Sequence, residues 1–172
     1  KQSYGKEEIN AVMKCLDDGW LAGNGPLTSK FEKIVAKSFG KKYGLFVNSG
    51  SSANLLALIC MNLNKGDEVI TSSCTFSTVV APIIQLGLKP VFCDVLLDKI
   101  VPSVEEILKY ITEKTKVLML PNLIGQKPDW KKLREKLKEI DREDIFLFED
   151  SCDTMTYTEE SDVTTISFYA SH

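Results

Sequence analysis

One histidine stands among 172 residues, and it is the last of them, His172. A metal site built on a histidine cluster is thereby excluded. Five cysteines, Cys15, Cys60, Cys74, Cys93 and Cys152, are scattered, odd in number and without C-x-x-C spacing. That pattern argues against a disulfide framework or a zinc ribbon and reads as reduced thiols, several packed as small hydrophobes. No apolar run approaches the ~20 residues needed to cross a bilayer. The opening Lys1-Gln2-Ser3-Tyr4 leads into a charged amphipathic stretch and not into a signal peptide. A basic excess is missing too. With 21 Lys and Arg against 24 Asp and Glu, the net charge of -3 offers nucleic acid no footprint. Neither an internal repeat nor a low-complexity linker is present. What remains, 44% hydrophobic and 26% charged residues, suits a cytoplasmic globular chain long enough for a sizeable core. The chain starts without Met and stops on a motif, so it reads as a fragment truncated after His172.

Periodicity divides the chain near residue 40. Ile9, Val12, Met13 and Leu16 share one helix face, and Gly19 stops that helix. After a turn-rich loop from Trp20 to Pro26, Ser29 and Glu32 in capping-box spacing predict a second helix with Phe31, Ile34 and Val35 as its apolar face and Gly40 as its stop. Residues 1–40 are thus an N-terminal helical segment. From 41 to 172 strands and helices alternate. Strands are expected at Tyr43–Val47, Glu68–Thr71, Val91–Val95, Val117–Leu120, Ile145–Phe148 and Val163–Ile166. Helices are expected at Ala53–Asn62, Ser77–Leu86, Ser103–Ile111 and from Pro128-Asp129 onward, the last with Trp130, Leu133, Leu137 and Ile140 inward. Apolar strands alternating with helices imply an α/β fold, a mostly parallel sheet in a three-layer α/β/α sandwich.

Four stretches hold residues with chemical potential. Asn48 to Ser52 is a small-residue turn between strand and helix. It either caps the helix or offers backbone N–H groups to an anion, and it lacks the lysine of a P-loop. Phe76 follows a strand and is either a core residue or a flat face for a ring ligand. Glu149 and Asp150 end an apolar strand. They either face water or are buried toward a cation, since a buried carboxylate without a partner is costly. His172 lies just past the last strand, at the sheet edge where α/β folds bind ligands, and is either structural or a proton carrier. The order is phosphate turn, aromatic, strand-end acid, then a base. It matches what a pyridoxal-phosphate site needs.

These stretches resemble the nucleotide-sugar aminotransferase and dehydrase family of the DegT/StrS type. The resemblance runs through GWLAGNGPLTSKFE, YGLFVNSGSSANLLAL, GDEVITSSCTFSTVVAPIIQLGLKPVFCDV, ITEKTKVLMLPNLIGQKPDW, FEDSCD and SFYASH, nearly the whole chain. It implies the N-terminal part of the large, cofactor-binding domain of a fold-type-I PLP enzyme over residues 41–172. By the same resemblance Gly50, Ser51 and Ser52 hold the cofactor phosphate, and Ser167 adds a hydrogen bond to it. Phe76 stacks on the pyridine ring, Asp150 pairs with the pyridine nitrogen, and Asp153 sits near the ring's O3′. The resemblance also implies a homodimer and a nucleotide-linked 4-keto-6-deoxy sugar as substrate; some dehydrases of the family carry an iron–sulfur cluster and some do not, while the residues here have the spacing of no common metal site.

His172 stands where the family's aminotransferases carry the Schiff-base lysine. Imidazole cannot form that covalent link, though it moves protons near neutral pH. A histidine here resembles the family's 3-dehydrases. In these pyridoxamine phosphate (PMP) condenses with the 4-keto group, the histidine removes a proton from C4′ of the cofactor, and the C3 hydroxyl leaves as water. The alternatives are a sugar aminotransferase using another lysine, and a non-catalytic cofactor-binding member. Trp20–Asn24 and Asn122–Gln126 are candidate substrate-facing loops.

Overall fold

The computed structural model describes residues 3–169, which form two compact units, one of residues up to 38 with 42–46 and one of 39–41 with 47–169.

The first unit holds α1 (Lys6–Asp17) and α2 (Pro26–Ser38). Glu8 Oε2 accepts from the Gly5 N–H at 2.6 Å, and this bond holds the Glu8 carboxyl below the ordinary carboxylate range. The apolar face of α1 forms as its spacing demands, yet Ile9, Val12, Met13 and Leu16 all stay exposed. Helix α2 begins earlier than expected, at Pro26, because proline suits a first helical position whose N–H has no intrahelical acceptor. It buries Ala36, keeps Phe31 and Val35 half-buried and leaves Ile34 exposed. The strand expected over Tyr43–Val47 is absent. A ladder needs a neighbouring strand, and no described strand pairs with this segment. Its residues lie along α2 instead. The Phe46 N–H donates to Glu32 Oε1 at 2.8 Å, and the Phe46 ring meets Phe31 edge-on at 5.3 Å. Gly44 permits this approach, since a Cβ there would fall 2.6 Å from the Glu32 carbonyl oxygen.

The second unit contains α3 (Gly50–Cys60), β1 (Glu68–Ser72), α4 (Ser77–Gln85), β2 (Lys89–Cys93), α5 (Val104–Leu108), β3 (Thr115–Pro121), α6 (Trp130–Glu139), β4 (Phe146–Asp150) and β5 (Val163–Thr165). The five strands are parallel, in the order β2-β1-β3-β4-β5. Successive strand side chains point to opposite faces, and two cores result. Ile70, Leu118, Leu120 and Leu147 pack against α5 and α6 through Ile107, Trp130, Leu133 and Leu137. Val69, Val117, Met119 and Phe148 pack against α3 and α4 through Leu58, Val79 and Ile83. Three layers, α/β/α, follow directly.

Several boundaries move. Helix α3 starts at Gly50 and not at Ala53, because Ser49 caps it by accepting from the Ser52 N–H at 3.1 Å. Helix α5 ends at Leu108, three residues short of Ile111, though Ser103 caps it as expected. Strand β5 stops at Thr165, where its pairing with Asp150 runs out. Ile140 caps the end of α6 and is exposed, since the cap position has rotated off the buried face. No helix among the described residues is long and apolar enough to cross a membrane.

Candidate functional site

Parallel strands bring their carboxyl ends to one edge, and the register shows which residues share it. Pro121 pairs with Asp150, and Asp150 with Thr165. The segments beyond β1, β4 and β5 carry Phe76, Asp153 and Ser167 respectively. The N-terminus of α3 is drawn to the same edge. An ideal Cβ on Gly50 would lie 3.6 Å from Ser167 Cβ and 2.7 Å from Cys152 Sγ. Gly50 and Ser167, far apart in sequence, are therefore neighbours across a gap that a single methyl would fill.

The amides of Gly50 and Ser51 are the first of α3 and have no acceptor within the helix. They meet the positive end of its dipole, and the combination suits an anion such as a phosphate. The Ser51 side chain is exposed and that of Ser52 half-buried, with Ser49 Oγ donating to Ser52 Oγ at 3.1 Å. Ser167 is half-buried and its Oγ accepts from the Tyr169 N–H at 3.1 Å, which leaves its own hydroxyl hydrogen to give.

Phe76 is not a core residue. It precedes α4 with its side chain 57% exposed, so a large apolar face is left for something flat to cover. Asp150 does not face water. It is 6% exposed, with Oδ2 accepting from Asn54 Nδ2 at 2.8 Å and Oδ1 from the Cys152 N–H at 3.0 Å. Burial, first, and the adjacent Asp150 carboxylate push the Cys152 thiol far above its ordinary range. A carboxylate has about four acceptor sites. Two N–H groups and a weak thiol donor leave room for a further N–H. An anion cradle, an exposed aromatic face and a buried carboxylate with spare capacity fit the phosphate, ring and ring nitrogen of a pyridoxal-type cofactor.

Asp153 belongs to a different contact. Its Oδ2 accepts from the Ile124 N–H at 2.6 Å, and Thr154 Oγ1 accepts from the Gly125 N–H at 2.9 Å. These bonds pin the tight turn Leu123–Gln126, where Ile124 and Gly125 both take positive φ. Asp153 thus joins the strand-end loop to one of the two candidate substrate-facing loops. His172 lies outside the described residues. Three residues that sequence reasoning passed over also sit here: Asn54, Thr165 and Cys152. The available signal was Asn54, a lone amide in the apolar stretch Ala53–Cys60.

The chain is similar to known proteins over nearly its whole length. The chain is 36% identical to the lipopolysaccharide biosynthesis protein RfbH of Salmonella typhimurium, over 98% of this chain and 41% of that protein. It is 38% identical to the dTDP-4-dehydro-2,6-dideoxy-D-glucose 3-dehydratase of Saccharopolyspora spinosa, over 83% of this chain and 34% of that one. Among solved structures it is similar to the E. coli GDP-4-keto-6-deoxy-D-mannose-3-dehydratase with bound hydrated PLP, with a TM-score of 0.83 and 30% identity over 92% of this chain and 41% of that one. The chain spans about two fifths of the length of these relatives. The family model of DegT/DnrJ/EryC1/StrS aminotransferases matches residues 2–172. With the cradle, the aromatic face and the buried carboxylate gathered at one sheet edge, this chain belongs to the DegT/DnrJ/EryC1/StrS aminotransferase family.

Proposed function

We propose that the chain carries the cofactor site of a nucleotide-sugar 3-dehydratase that acts on a 4-keto-6-deoxyhexose with pyridoxamine phosphate. The observation that carries this reading is His172 in Ser-Phe-Tyr-Ala-Ser-His, in a family whose aminotransferases hold a lysine at that place. Two of the relatives above, named as 3-dehydratases, support it.

Bound as its amine, the cofactor supplies the amino group that condenses with a keto sugar and a ring that takes up electrons. The chain's own residues do the rest. The amides of Gly50 and Ser51, with the Ser52 hydroxyl, would hold the phosphate at the α3 N-terminus, and the Ser167 hydroxyl would donate to it. Phe76 covers one face of the ring. Asp150 would hold a proton on the ring nitrogen, and Asp153, which fixes the turn at Ile124, would be the residue toward O3′. His172 takes a proton from C4′, and as an imidazole it leaves the cofactor unlinked. A homodimer in the cytoplasm goes with this reading, and the exposed apolar face of α1 supports a partner surface.

The test combines trapping with turnover. The protein is incubated with PLP, reduced with borohydride and examined by mass spectrometry, then given PMP and GDP- or CDP-linked 4-keto-6-deoxyhexoses. Cofactor binding without a pyridoxyl-lysine, together with loss of water from the sugar, is expected. One stoichiometrically labelled lysine with amino transfer from glutamate would make it an aminotransferase. Binding without turnover, unaltered by His172→Ala, would make it a non-catalytic binder.

A further inference from the structure

Asp150 is held from one side by a residue to which the reading above gives no role. Asn54 is 1% exposed and lies one turn into α3, four residues after Gly50. Its Nδ2 donates to Asp150 Oδ2 at 2.8 Å and approaches the Thr78 carbonyl at 3.4 Å. Its Oδ1 accepts from Thr165 Oγ1 at 2.7 Å. Chemistry fixes the direction of this chain of bonds. An ionised carboxylate only accepts, so the amide must turn its N–H₂ toward Asp150 and its oxygen toward Thr165. The Thr165 hydroxyl must then donate. Turning the amide over would set oxygen against carboxylate and leave two buried acceptors facing one another, which is costly.

We infer that Asn54 is a positioning residue, held in one amide orientation by Thr165, that aims Asp150 at the cofactor's ring nitrogen and ties that aim to the phosphate-holding turn. The inference rests on the cofactor reading above. The same short helix offers its first amides to the phosphate and, one turn later, fixes the carboxylate that meets the ring. Phosphate and ring nitrogen belong to one small ligand, joined through the ring and a short CH2–O arm, so their anchors would have to keep a narrow range of separations. A rigid helix supplies this better than two loops do. Thr165 adds the lock. It is buried and register-paired with Asp150 across β4 and β5, so its hydroxyl cannot drift from the amide.

The test uses PMP and its 1-deaza analogue, in which a ring C–H replaces the nitrogen, titrated calorimetrically into wild type, Asn54→Ala, Thr165→Val and Thr165→Ser. A carboxylate aimed at the ring nitrogen matters to PMP and not to the analogue. Asn54→Ala should weaken PMP roughly tenfold or more and the analogue at most about twofold, the size expected for a hydrogen bond to a charged group. Thr165→Val, nearly isosteric, should move the PMP-to-analogue ratio the same way, and Thr165→Ser should restore it. The ultraviolet band of bound PMP should also report ring deprotonation at lower pH in Asn54→Ala. Equal losses for both ligands would reduce Asn54 to a packing role and overturn the inference. An unchanged ratio in Thr165→Val would overturn it as well, even where Asn54→Ala fails to fold. If wild type binds neither ligand, the cofactor reading itself fails and takes this inference with it. If wild type binds both with equal affinity, the site stands and the role of Asp150 and Asn54 at the nitrogen falls.

Discussion

Gly50→Ala tests the cradle with the smallest possible change. The new Cβ would sit 2.7 Å from Cys152 Sγ, about an ångström inside the ~3.5–4.0 Å optimum for non-bonded heavy atoms. Overpacking of this kind costs about 1–3 kcal/mol. Gly50 has no positive φ, so alanine brings no backbone strain and returns about 0.5–1 kcal/mol of helix preference. The single variant should therefore lose up to about 2.5 kcal/mol. In Gly50→Ala/Cys152→Ala the clash vanishes and ordinary contacts remain, 3.6 Å to Ser167 Cβ and 3.9 Å to the Cβ at position 152. The double variant should be more stable than the sum of the singles by about 1–3 kcal/mol, a coupling measurable from urea unfolding of the four chains. Cofactor binding should behave oppositely. The methyl occupies the ground of the phosphate in both Gly50 variants, so PMP affinity should fall at least about tenfold relative to wild type and to Cys152→Ala alone. Additive stabilities would show that Cys152 does not limit the space at Gly50. A double variant that binds PMP like Cys152→Ala would show that the gap between Gly50 and Ser167 is not where the phosphate goes.

Glu149→Ala should destabilise the chain by about 1–3 kcal/mol in urea unfolding, because buried Thr158 Oγ1 loses its acceptor while Asn122 Nδ2 and Ser161 Oγ fall back on longer contacts, to Ser151 and Thr156 and to the Thr158 carbonyl. A loss below about 1 kcal/mol would contradict that accounting. Thiol reactivity should rank by burial, with exposed Cys60 and Cys74 alkylated quickly and Cys93 only on unfolding. Burial also pushes the Cys93 thiol up from 9.0 to about 12. Between those values the unfolded chain has lost a proton that the folded chain keeps, so stability should fall as pH rises from 9 to 12. Cys93→Ala should flatten that fall, which thermal melts over the same pH range would detect.

Period and punctuation made most of the second unit legible. Val69 and Ile70, Val117 and Leu118, and Leu147 and Phe148 are apolar neighbours that must bury on opposite faces, and they do. The failures have local causes. Tyr43–Val47 has the composition of a strand, but composition does not supply a partner, and Glu32 captures the Phe46 amide. Ser49, extended in backbone, takes the cap by accepting from the Ser52 N–H, so the helix begins three residues early and carries the turn into its own first amides. A motif names Gly50, Ser167 and Asp150 from the sequence, and the fold sets Gly50 beside Ser167 and buries Asp150. No motif names Asn54 or Thr165, and nothing in a sequence says that an amide at one position and a hydroxyl 111 residues later will meet.

Glu149 and Asp150 show why neighbouring acids can serve different ends. Strand pleating sends them to opposite faces of β4, and both are buried. Glu149, fully inaccessible, accepts from Asn122, Thr158, Ser161 and Thr164 across its two oxygens, with Thr156 at 3.5 Å. Its roughly four acceptor sites are filled. Lys41 closes the cluster from outside, donating to Ser161 Oγ at 2.8 Å and to the Thr158 carbonyl at 3.0 Å, and burial lowers its pKa despite the nearby Glu149 charge. This carboxylate is a structural hub with nothing left to offer a ligand. Among the described residues Asp150 takes two N–H donors, one from Asn54 and one from Cys152, beside the weak Cys152 thiol. Leaving a buried carboxylate under-satisfied costs stability, and the cost is tolerable where a bound group completes the set. The difference in saturation between adjacent carboxylates therefore supports the proposed reading without reference to any motif, since the under-satisfied one lies on the α3/α4 face that carries Gly50, Phe76 and Asn54.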